Sequence, residues 1–265
     1  MKTYVFTAVL TLTLSIATNA FAIDVTTLVE KANFTSYYQG NGGKAKVSMT
    51  ISDGGSSTRS RDFVILRRDD DQNSEKTGDQ RFYVYFTKPA DVNKTVFMVH
   101  KKVESDDDRW LYLPALDLVR RIAAGDKRTS FVGSNFFYED VSGRNPREDS
   151  HELVEETDNY YVLKSTPKNP KTVEFASYKN WIHKKSFIPV KTEFYDKQGA
   201  AYRVYEALKV EEVQGYPTVT KSRMKDLRSG GFTEMSYREV TYDLEIPEDT
   251  FTERFLRNPP RKLLR

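Results

Sequence analysis

The 265-residue sequence contains no cysteine. Disulfides, thiol nucleophiles and thiolate metal sites are excluded together, as is anchoring through a lipidated N-terminal cysteine. Histidine is scarce too. The three present, His100, His151 and His183, are scattered, with no H-E-x-x-H and no companion at metal-ligand spacing. A G-x-S-x-G elbow, a P-loop and a G-x-G-x-x-G fingerprint are all missing. Asp69, Asp71 and Asn73 imitate the first ligands of a calcium loop, but Ser74 replaces the turn glycine and Gln80 the bidentate glutamate. No catalytic constellation remains to be chosen, so an enzyme is not expected, and neither is a metal or cofactor. A large excess of one charge is also lacking: 41 basic residues face 38 acidic ones, which gives no reason to expect a nucleic-acid partner.

Long apolar runs are confined to the N-terminus. Lys2 is followed by an apolar stretch over residues 4–17 and then by Ala20-Phe21-Ala22, the pattern of a secretory signal with its cleavage site. Residues 1–22 are thus expected to be a leader, and residues 23–265 one soluble, non-lipidated, periplasmic domain. No later segment approaches the roughly 20 apolar residues that a spanning helix needs.

What is abundant is alternation. Behind Asp24, a candidate N-cap, Val25, Leu28, Val29 and Ala32 recur at helical spacing. After Gly40-Asn41-Gly42-Gly43 the period becomes two, and residues 45–51 and 58–67 form a predicted hairpin around Ser52-Asp53-Gly54-Gly55. RFYVYF (81–86) and TVFMVHK (95–101) are apolar on both faces, which predicts either a sheet covered on both sides there or one face on a core and the other on a ligand. In WLYLPALDLVRRI (110–122) Pro114 forbids a continuous helix. Two strands, 110–113 and 118–122, are expected instead. Further strands are expected over 153–156, 160–165, 173–179, 190–195, 202–213, 218–227 and 232–244, separated by Gly, Asn, Asp and Pro turns. A helical turn follows Pro247, and residues 259–265 are expected to fray. About a dozen such strands imply a large antiparallel sheet, curled or closed.

Aromatic residues are dense in one part of the chain: Phe82, Tyr83, Tyr85, Phe86, Phe97, Trp110, Tyr112, Phe131, Phe136, Phe137 and Tyr138 all fall within residues 82–138. A half-closed sheet has one interior, and a helical lid over it would create a pocket suited to acyl chains. The candidate lining residues are Phe82, Val84, Phe86, Phe97, Val99, Trp110, Tyr112, Phe136 and Tyr138, with Arg120-Arg121 at the polar edge.

The ordered pattern from Trp110-Leu111-Tyr112-Leu113-Pro114-Ala115-Leu116 through Arg120-Arg121-Ile122 to Phe131-Val132-Gly133-Ser134-Asn135-Phe136-Phe137-Tyr138-Glu139-Asp140 resembles the outer-membrane lipoprotein-sorting proteins of the LolA-like superfamily. The resemblance implies a mainly β fold with a few helices: a strongly curved, incompletely closed antiparallel barrel with a helical lid over an apolar concave face. It implies a carrier or chaperone for a lipid or acylated protein, working with an RND/MMPL-type inner-membrane transporter. Asn135 stands where many relatives have Asp, and Phe137 where many have a small polar residue, which implies a greasier pocket or loop. A different class of function fits the same residues: a monomeric interaction or sensor module that docks on a transporter without carrying lipid.

Overall fold

A computed structural model of the chain describes residues 23–71 and 77–265; the expected leader lies outside the described residues. Helix α1 (Val25–Tyr37) begins where the Asp24 carboxylate accepts the Thr27 N–H at 3.0 Å, satisfying one of the donors a helix start leaves free. Gly40, at φ +67°, turns the chain into the sheet in a conformation that suits a residue without Cβ.

Among the described residues the strands are β1 (Gly42–Ser52), β2 (Thr58–Asp69), β3 (Gln80–Lys88), β4 (Val96–Lys101), β5 (Asp108–Leu113), β6 (Leu118–Arg121), β7 (Asp149–Glu156), β8 (Tyr160–Pro167), β9 (Ser177–His183), β10 (Pro189–Tyr195), β11 (Ala201–Val213), β12 (Tyr216–Asp226) and β13 (Phe232–Tyr242). They make one sheet in the order β6-β5-β4-β3-β2-β1-β13-β12-β11-β10-β9-β8-β7. Every neighbouring pair is antiparallel. The first and last strands pair through β1 and β13, and β6 and β7 are left as free edges, so the curved sheet stays open. Residues 122–148, which include helix α2 (Tyr138–Ser142), connect the two edges. No helix among the described residues is long and apolar enough to cross a membrane.

The period-two pattern assigns the faces. Phe63 on β2, Phe82, Val84 and Phe86 on β3, and Phe97 and Val99 on β4 share the inner cluster with Val47 and Met49 of β1. Val64, Leu66, Tyr83, Val96, Met98 and Trp110 project from the opposite face. The covering layer on that outer face comes from the C-terminal segment, where helix α3 (Glu253–Arg257) and its approach contribute Ile246, Phe251 and Leu256. Both faces of β3 and β4 are thus covered, one of the two arrangements that the doubly apolar runs allow.

Two local expectations fail for physical reasons. The strand expected over 173–179 runs over Ser177–His183 instead. Phe175 is drawn into a cluster with Tyr178 and Phe194, ring centroids 5.5 and 5.4 Å away, while Trp181 and Ile182 continue the pairing with β8. The tail does not fray: Leu263 and Leu264 pack against the outer cluster, and the Lys44 ammonium donates to the Arg265 carbonyl at 2.5 Å.

Candidate functional site: a covered cavity on the concave face

The concave face carries two covers. One is α1, whose buried Leu28 and Ala32 rest on Leu163 of β8 and Ile182 of β9. Its C-terminal end is tied down by Arg67, which donates to the carbonyls of Tyr37, Gln39 and Gly40, and by Gln80 Nε2 at 2.8 Å from the Tyr37 carbonyl. The other cover is the 122–148 connection. Its loop closes on itself through the Phe131 N–H to Phe136 carbonyl bond, 2.8 Å, and places the Phe131 ring at the centre of an aromatic cluster with Phe63, Phe86, Phe97 and Tyr138, centroids 5.5–6.2 Å away. Asn135 fixes the tip, since its backbone N–H donates to Thr233 Oγ1 at 2.9 Å and its carbonyl accepts from Arg203 at 3.0 Å.

A buried ionic network clamps this second cover to the sheet. Glu139 is 1% exposed and pairs with Lys127, Arg128 and Arg144 at 3.0, 3.1 and 3.2 Å. Arg128 continues to Glu174 at 2.6 Å. Arg144 forms a two-point pair with Asp149 of β7, both contacts 2.8 Å, the geometry that makes such pairs strong. Asp140 holds Arg203 of β11. Burial pushes the Glu139 carboxyl up, but Arg128, Lys127 and Arg144 together outweigh it and hold the group at about 2. A second buried cation, Lys101, donates to the Ser142 carbonyl at 2.8 Å under the rings of Tyr37 and Tyr38; burial brings its ammonium down to about 8.

Between the covers and the sheet lies a cavity of about 440 Å³, within the range of small-molecule sites. Ala45, Ile65, Met224, Met235, Tyr237 and Val240 form much of its apolar wall. Its charges are internally answered: Lys44, Arg67, Arg128 and Arg144 reach the lining, yet each is already engaged by a carbonyl or a carboxylate. The polar Asn180 and Thr192 bond to each other at 2.7 Å. Such a wall offers mainly van der Waals surface, with its cations already engaged by protein acceptors, a setting chemically suited to an uncharged apolar group.

Among the nine lining residues expected from the sequence, Phe82 and Phe136 line the cavity. Val84, Phe86, Phe97 and Val99 lie on the same face but are packed beneath the 122–148 cover, and Tyr138, which belongs to that cover, packs with them in the solid part of the inner cluster. Trp110 and Tyr112 do not line the cavity. Alternation along β5 sends Leu111 inward and Trp110 and Tyr112 outward against the C-terminal segment, because inward and outward positions differ by one residue in register. Phe137 is likewise outside the lining, held between the guanidinium groups of Arg128 and Arg203, 4.9 and 4.0 Å from its ring centroid. The cavity wall on β12 and β13 is not marked in the sequence, because Met224, Met235 and Val240 sit among charged residues and the irregularity at Glu239 breaks the period of two between Met235 and Val240. The histidines are held apart by separate partners: His100 by the Phe251 carbonyl, His151 by Ser165 and the Pro146 carbonyl, His183 by Ser186.

Since Trp110 is 7% exposed and outward-facing, Trp110→Ala is expected to lower unfolding free energy by about 3–4 kcal/mol while leaving binding of an acyl probe unchanged. Denaturant titration and probe fluorescence on the same sample check both halves.

An open antiparallel sheet wrapped round a concave cavity and covered by helical segments is the LolA-like architecture. The chain superimposes with a TM-score of 0.77 on a DUF1329 family protein from Desulfovibrio piger, 27% identical, over 86% of this chain and 95% of the other. It is similar to a protein domain from Vibrio parahaemolyticus provisionally named as outer membrane lipoprotein-sorting (TM-score 0.78, 24% identical, 88% and 98% covered). A LolA superfamily protein from Nitrosomonas europaea matches at TM-score 0.67 and 20% identity, covering 88% and 100%. A family model described only as "uncharacterized protein" matches residues 78–258, more than half of the chain. The chain belongs to that family, and it shares the fold of the LolA superfamily protein. No curated protein matches it.

Proposed function

We propose that the protein is a periplasmic carrier that shields an acyl chain of a lipid or lipoprotein inside its half-barrel. The observation that carries this reading is the covered, largely apolar cavity of about 440 Å³ whose neighbouring cations are each engaged by a carbonyl or a carboxylate. Each methylene moved from water into such a site contributes about 0.8 kcal/mol, so an acyl chain binds with useful strength without a polar contact. Outer-membrane lipid or lipoprotein trafficking is the setting suggested by the Vibrio parahaemolyticus relative's name, and the leader-like N-terminus supports export. The family resemblance further suggests an RND/MMPL-type inner-membrane exporter as partner.

Native mass spectrometry of protein isolated from its own periplasm is expected to show a lipid-sized adduct. Bare protein that also fails to bind fatty-acyl probes would sink the carrier reading. In-cell crosslinking addresses the exporter: capture of a transporter together with lipid-loaded protein supports the whole proposal, whereas capture with never-loaded protein favours a docking module.

A further inference from the structure

The cavity wall carries a group of tyrosines that a purely apolar sheath does not need. On adjacent strands Tyr205 of β11 pairs with Met224 of β12, Ser222 of β12 pairs with Met235 of β13, and Tyr237 follows Met235 two residues on, hence on the same face. Tyr205, Met224, Met235 and Tyr237 all line the cavity. The hydroxyl of the buried Ser222 is the neighbour that the Tyr205 and Tyr237 hydroxyls share. Tyr37 reaches the same cavity from its cover, as the last residue of α1. Its ring is pinned: the Lys101 ammonium lies 4.9 Å from the centroid, and Gly143, at φ +79°, comes so close that a Cβ there would fall 2.5 Å from the ring. Each of the three phenols feels the charge of another, so two strands and one cover bring them to one region.

These hydroxyls stay protonated and able to donate. Burial raises Tyr37 and Tyr205 well above the ordinary phenol range, with the Asp140 carboxylate adding to it, and burial pushes Tyr237 up to about 12. The protein makes little use of their protons. Among the described residues no hydrogen bond occupies the Tyr37 hydroxyl, and Tyr237 donates to the Met235 sulfur at 3.3 Å, a weak acceptor. A donor left without a partner in an apolar cavity costs free energy that a bound acceptor recovers. The acceptor that fits is neutral. Asp140 lines the cavity and repels a carboxylate, while the neighbouring Arg128 and Arg144 are already paired with Glu139. An ester carbonyl carries no charge, accepts from O–H groups and stands at the head of an acyl chain.

We propose that Tyr37, Tyr205 and Tyr237 bind the ester carbonyl of an acylated glycerol, so that the cavity takes esterified chains in preference to free fatty acids. The chain supplies the affinity, and the phenols supply selection and a fixed depth of entry. This rests on the carrier reading, which says that a chain enters, and adds which chain it is.

The test is calorimetric titration of the full protein with probes of one chain length: monolauroylglycerol, its dodecyl ether counterpart, which keeps the glycerol and lacks the carbonyl, and dodecanoate. Wild-type protein is expected to bind the ester about tenfold more tightly than either of the others. Tyr37→Phe and Tyr205→Phe keep the ring and its packing. Each is expected to weaken ester binding about fivefold, and the two together more than about tenfold, with ether binding and thermal unfolding unchanged. Ester and ether bound alike, or an ester that binds the variants as it binds wild type, would overturn the inference and leave the carrier reading in place. Wild-type protein that binds none of the probes would remove both. A lysophospholipid and an acylglyceryl-cysteine peptide carry the same ester from the two sources, lipid and lipoprotein. The one whose affinity falls in the variants is the cargo, and insensitivity of both overturns the inference.

Discussion

An Ala45→Trp variant is expected to lose about 100-fold in affinity for an acyl-chain probe while keeping its fold. Ala45 lies on β1 opposite Ile65 of β2 and belongs to the cavity wall. An indole growing from that position enters space that is already empty, so it displaces ligand and leaves the packed core intact. If it takes the place of roughly four methylenes at about 0.8 kcal/mol each, the loss is about 3 kcal/mol, or two orders of magnitude. Unfolding free energy is expected to stay within about 1 kcal/mol of wild type. Fluorescence titration with denaturant unfolding as companion separates the two effects; unchanged affinity would mean that the chain lies elsewhere.

Glu139→Gln is expected to have the largest effect on stability, about 3–5 kcal/mol at neutral pH. The carboxylate is the shared partner of Lys127, Arg128 and Arg144, and removing it leaves buried cations short of an anion, which costs more than the pair itself contributes. Its pH signature follows from its depressed titration: the folded group sits at about 2 against 4.5 for its ordinary value. The stabilisation is therefore complete above about pH 4.5 and is lost as pH falls toward 2, roughly 3 kcal/mol in all. Asp69 acts with the opposite sign, because burial raises its carboxyl to about 6 despite Arg67 and the Gln80 bond. Its contribution is fullest below its ordinary 3.8 and fades as pH rises through 6. Urea denaturation of wild type and Glu139→Gln across pH 2–7 is expected to show convergence at the acid end; parallel curves would contradict the network's role.

The repeating part of this fold was readable because a strand writes its own pattern. Ala45, Val47, Met49 and Ile51 point inward on β1 as their spacing requires, and Pro114 divides the WLYLPALDLVRRI stretch into β5 and β6. Which face of a doubly apolar strand meets the cavity was not readable. Trp110 and Leu111 are both buried, and only the position of the C-terminal segment, more than a hundred residues later, decides which of them faces outward. Register fixes alternation but not its sign when both faces are covered.

The cavity's second cover was hidden for a related reason. Residues 122–148 lack periodicity, and their arrangement depends on long-range ion pairs such as Arg203 with Asp140 and Arg128 with Glu174. Charged residues in sequence usually mark solvated loops. Here Glu139 and Asp149 are among the least exposed residues of the protein, because the folded connection closes Lys127, Arg128 and Arg144 on Glu139 and Arg144 on Asp149.

Calorimetric titration of the protein with a series of single-chain amphiphiles sharing one headgroup and differing in acyl length tests the central claim most directly. Affinity is expected to rise severalfold per added methylene and to level off once the cavity of about 440 Å³ is filled, with the rise absent in Ala45→Trp. Affinity that follows the headgroup and ignores chain length, in wild type and variant alike, would contradict a cavity that sheathes acyl chains.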